Sequence, residues 1–180
     1  MSKSRSLGMP IADHVDFVVE QWTHAMPSLD ASSMEVFGRM VRLQKHLERL
    51  RTEALTEYGF KEGEFDVLAT LRRAGEPYRL SPTELYRSLL VTSGAMTNRL
   101  GRLESAGMVE RVADAHDKRS TQVALTDQGK ALIERAVFTH TEIQELVLAP
   151  LDSRQRDTLA QLLKQMLSAL PGETADINMV

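Results

Sequence analysis

The stretch that decides the fold runs from Leu80 to Gly129: Leu80-Ser-Pro-Thr-Glu-Leu85, then Val91-Thr-Ser-Gly-Ala-Met-Thr-Asn-Arg-Leu-Gly-Arg-Leu-Glu104, then Ala106-Gly-Met-Val-Glu-Arg111, a polar tip over Asp114–Ser120, and Thr121-Gln-Val-Ala-Leu-Thr126. Ser81 caps a helix, Pro82 occupies its first position, where no backbone donor is needed, and Glu84 completes a capping box. That helix runs to about Leu90, and Thr92 or Ser93 caps a second one ending at Gly107. Met108–Val112 and Thr121–Leu125 alternate as two strands around the charged tip. Helix, turn, helix and β-hairpin in this order predict a winged helix-turn-helix, whose second helix fits the DNA major groove. The expected fold class is mainly α with a small β-hairpin wing.

Outward from this stretch the pattern is helical. Ile11, Val15, Val18, Val19, Trp22 and Met26 fall at helical intervals, and Pro27 ends that helix. Asp30–Ser33 supplies caps for a long helix to about Tyr58, with Gly59 closing it. Lys61–Arg73 reads as a third helix, stopped by Gly75 and Pro77. Thr126 or Asp127 caps a helix to about Leu148, and Asp152–Leu170 is the last. The expected organisation is a flexible N-terminus (1–10), N-terminal helices for dimerisation (11–58), the winged lobe (60–126), C-terminal dimerisation helices (127–170) and a tail (171–180). The terminal helices carry apolar stripes longer than one small lobe needs, which points to a homodimer with two recognition helices about one DNA turn apart.

Composition sets bounds. The chain has 180 residues, 42% hydrophobic and 26% charged, as an ordinary globular protein does. No apolar run approaches the ~18–20 residues of a membrane span, and Met1–Pro10 lacks the apolar segment of a secretory signal, so a cytoplasmic location is expected. With no cysteine there is no disulfide and no thiolate metal site, and the five histidines show no close pairing, so neither a metal nor a cofactor is expected. No nucleophile–base pair, phosphate loop or paired-carboxylate motif stands out, so an enzyme is not expected. Net charge is −3, yet Tyr78–Thr126 holds seven Lys/Arg against five Asp/Glu. That segment is +2 and the remainder −5: a DNA lobe on an acidic scaffold.

On a helical wheel at about 100° per residue, Met96, Leu100 and Leu103 face the core. Gly94, Thr97, Asn98, Gly101 and Arg102 lie opposite, with Ser93 at the helix start. Small residues let the helix approach base edges; Asn bonds adenine bidentately and Thr meets a thymine methyl. Arg102 is expected on phosphate or guanine. Arg99 lies toward the flank of the apolar stripe and points sideways or inward, with an acidic scaffold residue as one possible partner. At the tip, Arg119 suits a narrow minor groove, Asp117 orients it, and Lys118 neutralises phosphate.

The run Thr97-Asn-Arg-Leu-Gly-Arg-Leu-Glu-Ser-Ala-Gly-Met-Val-Glu-Arg111, with Asp117-Lys-Arg-Ser120 and Val123-Ala-Leu-Thr-Asp-Gln-Gly129, resembles the MarR (multiple antibiotic resistance regulator) family. The resemblance spans about Val36–Leu170. It implies a mostly helical homodimer that straddles a pseudo-palindromic double-stranded operator, mostly as a repressor, and is released by a small ligand. The additional helix Ile11–Met26, with the single Trp, resembles the urate-responsive branch of the family. That likeness implies a ligand site at Trp22, Asp66 and Arg99, with Arg111 anchoring the recognition helix. An anionic purine would sit against Trp22 and Arg99 and repel Asp66. Phenolic or aromatic carboxylate ligands are the alternative effectors.

Overall fold

The computed structural model describes residues 11–113 and 121–170. Its element order is α1 (His14–Ala25), α2 (Ser32–Leu55), a 3₁₀ turn (Thr56–Tyr58), α3 (Glu64–Arg73), β1 (Arg79–Leu80), α4 (Pro82–Ser88), α5 (Ser93–Ser105), β2 (Val109–Ala113), β3 (Thr121–Leu125), α6 (Asp127–Leu148) and α7 (Ser153–Ser168). The chain divides into two compact units at Arg49/Leu50.

In the first unit, Asp13 caps α1 by accepting from the N–H groups of Val15 and Asp16, and Asp16 returns a bond to the Asp13 N–H. Arg39 of α2 donates to Asp13 at 2.9 Å and also pairs with Asp16. Desolvation pushes the Asp13 carboxyl up, but the N–H groups of Asp16 and Val15 and the Arg39 guanidinium outweigh it and hold the pKa below the usual carboxylate value. Val15 is buried, and its side chain fills the space that a Cβ on Gly38 would need.

The second unit holds the main core. Val67, Leu68 and Leu71 of α3, Leu85 of α4, Met96, Leu100 and Leu103 of α5, Val109 and Val123 of the sheet and Ile133 of α6 form one buried cluster. The sheet is antiparallel with order β1-β3-β2; Val109 pairs with Leu125 and Arg79 with Ala124. β1 is a strand the sequence did not suggest, since two residues give no alternation to read. α3 begins three residues later than the sequence suggests, because Gly63 takes a left-handed conformation (φ 74°) that ends the preceding turn.

α6 is seated by its first residues. The Thr126 hydroxyl donates to the Gly107 and Met108 carbonyls and accepts from the Gly129 N–H. A Cβ on Gly129 would overlap the Met108 carbonyl oxygen, so a side chain has no room there. The pattern Thr-Asp-Gln-Gly is thus a packing requirement between α6 and the strand beside it.

Candidate nucleic-acid interface and effector cavity

α4 and α5 are built as their sequence dictates. The Ser81 N–H donates to Glu84 Oε2 at 2.7 Å, and the Glu84 N–H donates back to Ser81 Oγ at 3.2 Å. Thr92 Oγ1 caps α5 by accepting from the Ala95 N–H. The turn between the two helices forces Leu90 into the left-handed region (φ 51°) and leaves its side chain exposed.

α5 turns Met96, Leu100 and Leu103 into the core and Ser93, Gly94, Thr97, Asn98 and Gly101 into solvent. A side chain added at Gly94 or Gly101 would meet nothing within 4 Å. The seven-residue spacing puts both glycines on one face, with Thr97 and Asn98 between them. Thr97 Oγ1 donates to the Ser93 carbonyl, which orients its methyl outward from the helix.

One arginine makes a contact that the sequence reading did not expect, and another points inward as that reading has it. Arg102 was expected to reach toward DNA; its Nε instead donates to Glu64 Oε1 of α3 at 2.7 Å. Arg99 packs its guanidinium over Gly63, in the space a Cβ there would fill. The acidic scaffold partner suggested for Arg99 is therefore taken one turn further on, by Arg102. No signal within α5 marks this, because the partner lies 38 residues earlier. Arg111 of β2 donates to Glu104 in the last turn of α5 at 3.2 Å. Asp117, Lys118 and Arg119 lie outside the described residues.

A cavity of about 330 Å³ opens in the second unit, lined by Phe65, Asp66 and Arg73 of α3, Leu89 after α4, and Val137 and His140 of α6, among others. Its walls are mainly apolar with three polar groups, as small-molecule sites commonly are. Asp66 is held by Arg51 at 2.8 Å, and Arg73 donates to Ser88 at 2.9 Å. The His140 ring lies 4.9 Å from that of Phe65, its Nε2 sits 3.1 Å from the Gln144 amide, and its buried Nδ1 has no partner among the described residues. Burial first, then the positive charge of Arg51, hold the His140 pKa below the usual imidazole value, against the opposing pull of Asp66. Of the expected ligand set, Asp66 lines this cavity and Arg99 does not; Trp22 belongs to the first unit, on α1, and is partly exposed. The cavity residues Phe65, Leu89, Val137 and His140 were not singled out in the sequence, because α3 and α6 meet only in the folded chain. Among the described residues no cluster of His, Asp and Glu is arranged to hold a metal ion. No helix among them is long and apolar enough to cross a membrane.

This geometry, a capped two-helix unit with a bare outer face on its second helix and a hairpin after it, defines a winged helix-turn-helix regulator. Comparison with known proteins agrees. The MarR family model matches residues 58–120. The chain is 38% identical over 149 residues to the HTH-type transcriptional regulator PecS of Dickeya dadantii (strain 3937), covering 83% of this chain and 90% of that one. It is 32% identical to the multiple antibiotic resistance protein MarR of Escherichia coli (strain K12), over 72% and 90% of the two chains. A MarR mutant from E. coli complexed with operator DNA superimposes with a TM-score of 0.64 at 30% identity, over 81% of this chain and 97% of that one. The chain belongs to the MarR family: it is a DNA-binding transcriptional regulator, and its relatives are regulators and not enzymes.

Proposed function

We propose that the protein is a cytoplasmic repressor that binds a pseudo-palindromic operator as a homodimer and lets go when urate or a related purine binds. The observation that carries the DNA-facing part is the bare face of α5. Each glycine inside a helix costs about 1 kcal/mol relative to alanine. Gly101, in the interior of α5, bears that cost with no neighbour in its own fold to excuse it, and Gly94 in the first turn is equally uncrowded. Close approach to base edges supplies the reason, with Ser93, Thr97 and Asn98 as the reading groups. Lys118 and Arg119 then serve phosphate and minor groove, with Asp117 orienting the tip.

Dimerisation is supported by α7, which has no buried residue and exposes Leu159, Leu162, Met166 and Leu167. The effector reading is supported by the cavity, whose carboxylate, guanidinium and unpartnered imidazole nitrogen offer directional bonds to the edge of a flat heterocycle. In this reading the negative charge of the purine repels Asp66 in the cavity wall, and Arg111 steadies α5 through Glu104. Arg73 on an otherwise apolar wall favours a second reading, an aromatic carboxylate as effector.

The test is a mobility-shift titration on the DNA immediately beside the gene, with and without millimolar urate. Binding that urate releases supports both parts. Binding that urate leaves untouched keeps the repressor and moves the search to other purines and aromatic acids. Absence of any specific binding overturns the DNA reading.

A further inference from the structure

One turn of α5 is fastened to the first turn of α3, and the turn before it packs against the start of that helix. The Glu64 side chain is 9% exposed, and both its oxygens are used: Oε1 accepts from Arg102 Nε at 2.7 Å, and Oε2 from the Lys61 N–H at 2.9 Å. A carboxylate so nearly sequestered needs both of these partners. One residue earlier, the left-handed backbone of Gly63 makes the recess that receives the Arg99 guanidinium. Arg99 and Arg102 are three apart and share one flank of α5, a quarter-turn or so from the Thr97–Asn98 face. The core contacts of Met96, Leu100 and Leu103 hold α5 in place. The ion pair is directional and adds a constraint on the angle of α5 about its own axis.

We propose that Glu64 is a positioning residue for DNA reading: through Arg102 it sets the angle at which Thr97 and Asn98 face the groove, and Arg102 acts through Glu64 without itself neutralising a phosphate. The proposal rests on the DNA-binding reading above. It also gives the cavity a route to the reading face. α3 carries the clamp at Gly63 and Glu64 and lines the cavity with Phe65, Asp66 and Arg73, so a ligand that shifts α3 shifts the anchor of α5.

The experiment compares wild type, Glu64→Gln, Arg102→Ala and the double variant. The probe is the duplex that the wild-type protein enriches from a random-sequence pool, against a scrambled duplex of equal length, across a salt series. Each single variant should lose about tenfold in affinity for the selected duplex, the scale of one charge-assisted hydrogen bond. The scrambled duplex should bind unchanged, the salt slope should stay as in wild type, and the double variant should be no worse than either single one. If Arg102→Ala lowers the salt slope by about one, the loss of one phosphate contact, Arg102 touches DNA and the proposal fails. It fails equally if Glu64→Gln binds as wild type, if the two losses add, or if both duplexes weaken together with a lowered melting temperature. Arg102→Ala, at a half-exposed position, carries the test if Glu64→Gln does not fold. Enrichment of no duplex by the wild-type protein overturns the DNA reading itself, a result separate from any of these.

Discussion

Single residues carry the conflict between stability and reading most plainly. Gly101 sits in a helix interior with open space where its side chain would be. Gly101→Ala should stabilise the fold by about 1 kcal/mol, seen as a higher melting temperature, and weaken binding to the selected duplex. A variant that is more stable and binds equally well would show that nothing approaches that face. His140 sets a pH limit. Its folded-state pKa lies below the ordinary imidazole value of 6.5, so the unfolded chain takes up a proton first as pH falls. The stability it lends is complete above about 6.5 and is lost as pH drops from there through the depressed folded value. Melting temperatures measured downward from pH 7.5 should therefore decline more steeply for wild type than for His140→Asn; equal slopes would mean that His140 titrates freely.

At the scale of elements, what was legible follows from how far apart the cooperating residues lie in the chain. Ser81 and Glu84 are three residues apart, so the start of α4 was written locally, and the period of Met96, Leu100 and Leu103 gave the buried and bare faces of α5. The Thr126–Gly129 turn was likewise legible as a helix start. Arg102 was expected on DNA because the helical wheel puts it opposite the apolar stripe; Glu64 comes from a different element, and only the fold brings them together. The same holds for Tyr78, whose ring centroid is 4.9 Å from the Arg72 guanidinium of α3 and 4.7 Å from the Lys130 ammonium of α6. The cavity was legible at one position, Asp66, and there through likeness to a family and not through its wheel, which gave a polar face without saying what that face lines.

For the whole molecule, the unburied side of α7 is what supports the proposed homodimer. Leu162 is 54% exposed on a helix with no buried residue of its own. Leu162→Glu should shift the protein to monomer in sedimentation velocity and reduce affinity for a two-half-site duplex by about 100-fold or more, since two linked half-site contacts become one. A variant that stays dimeric would move the interface elsewhere. The acidic remainder of the chain, −5 against the +2 of the winged segment, is expected to weaken indiscriminate binding to DNA. Beneath this assembly lies the seat of α6, where the neighbour that forbids a side chain at Gly129 is the backbone oxygen of Met108. Gly63 is also crowded, but by a long side chain that can swing aside. A backbone atom is present whatever residue occupies position 108, so no second mutation there can restore what a change at Gly129 removes. In a screen for revertants of a Gly129 substitution, changes at position 108 should not appear.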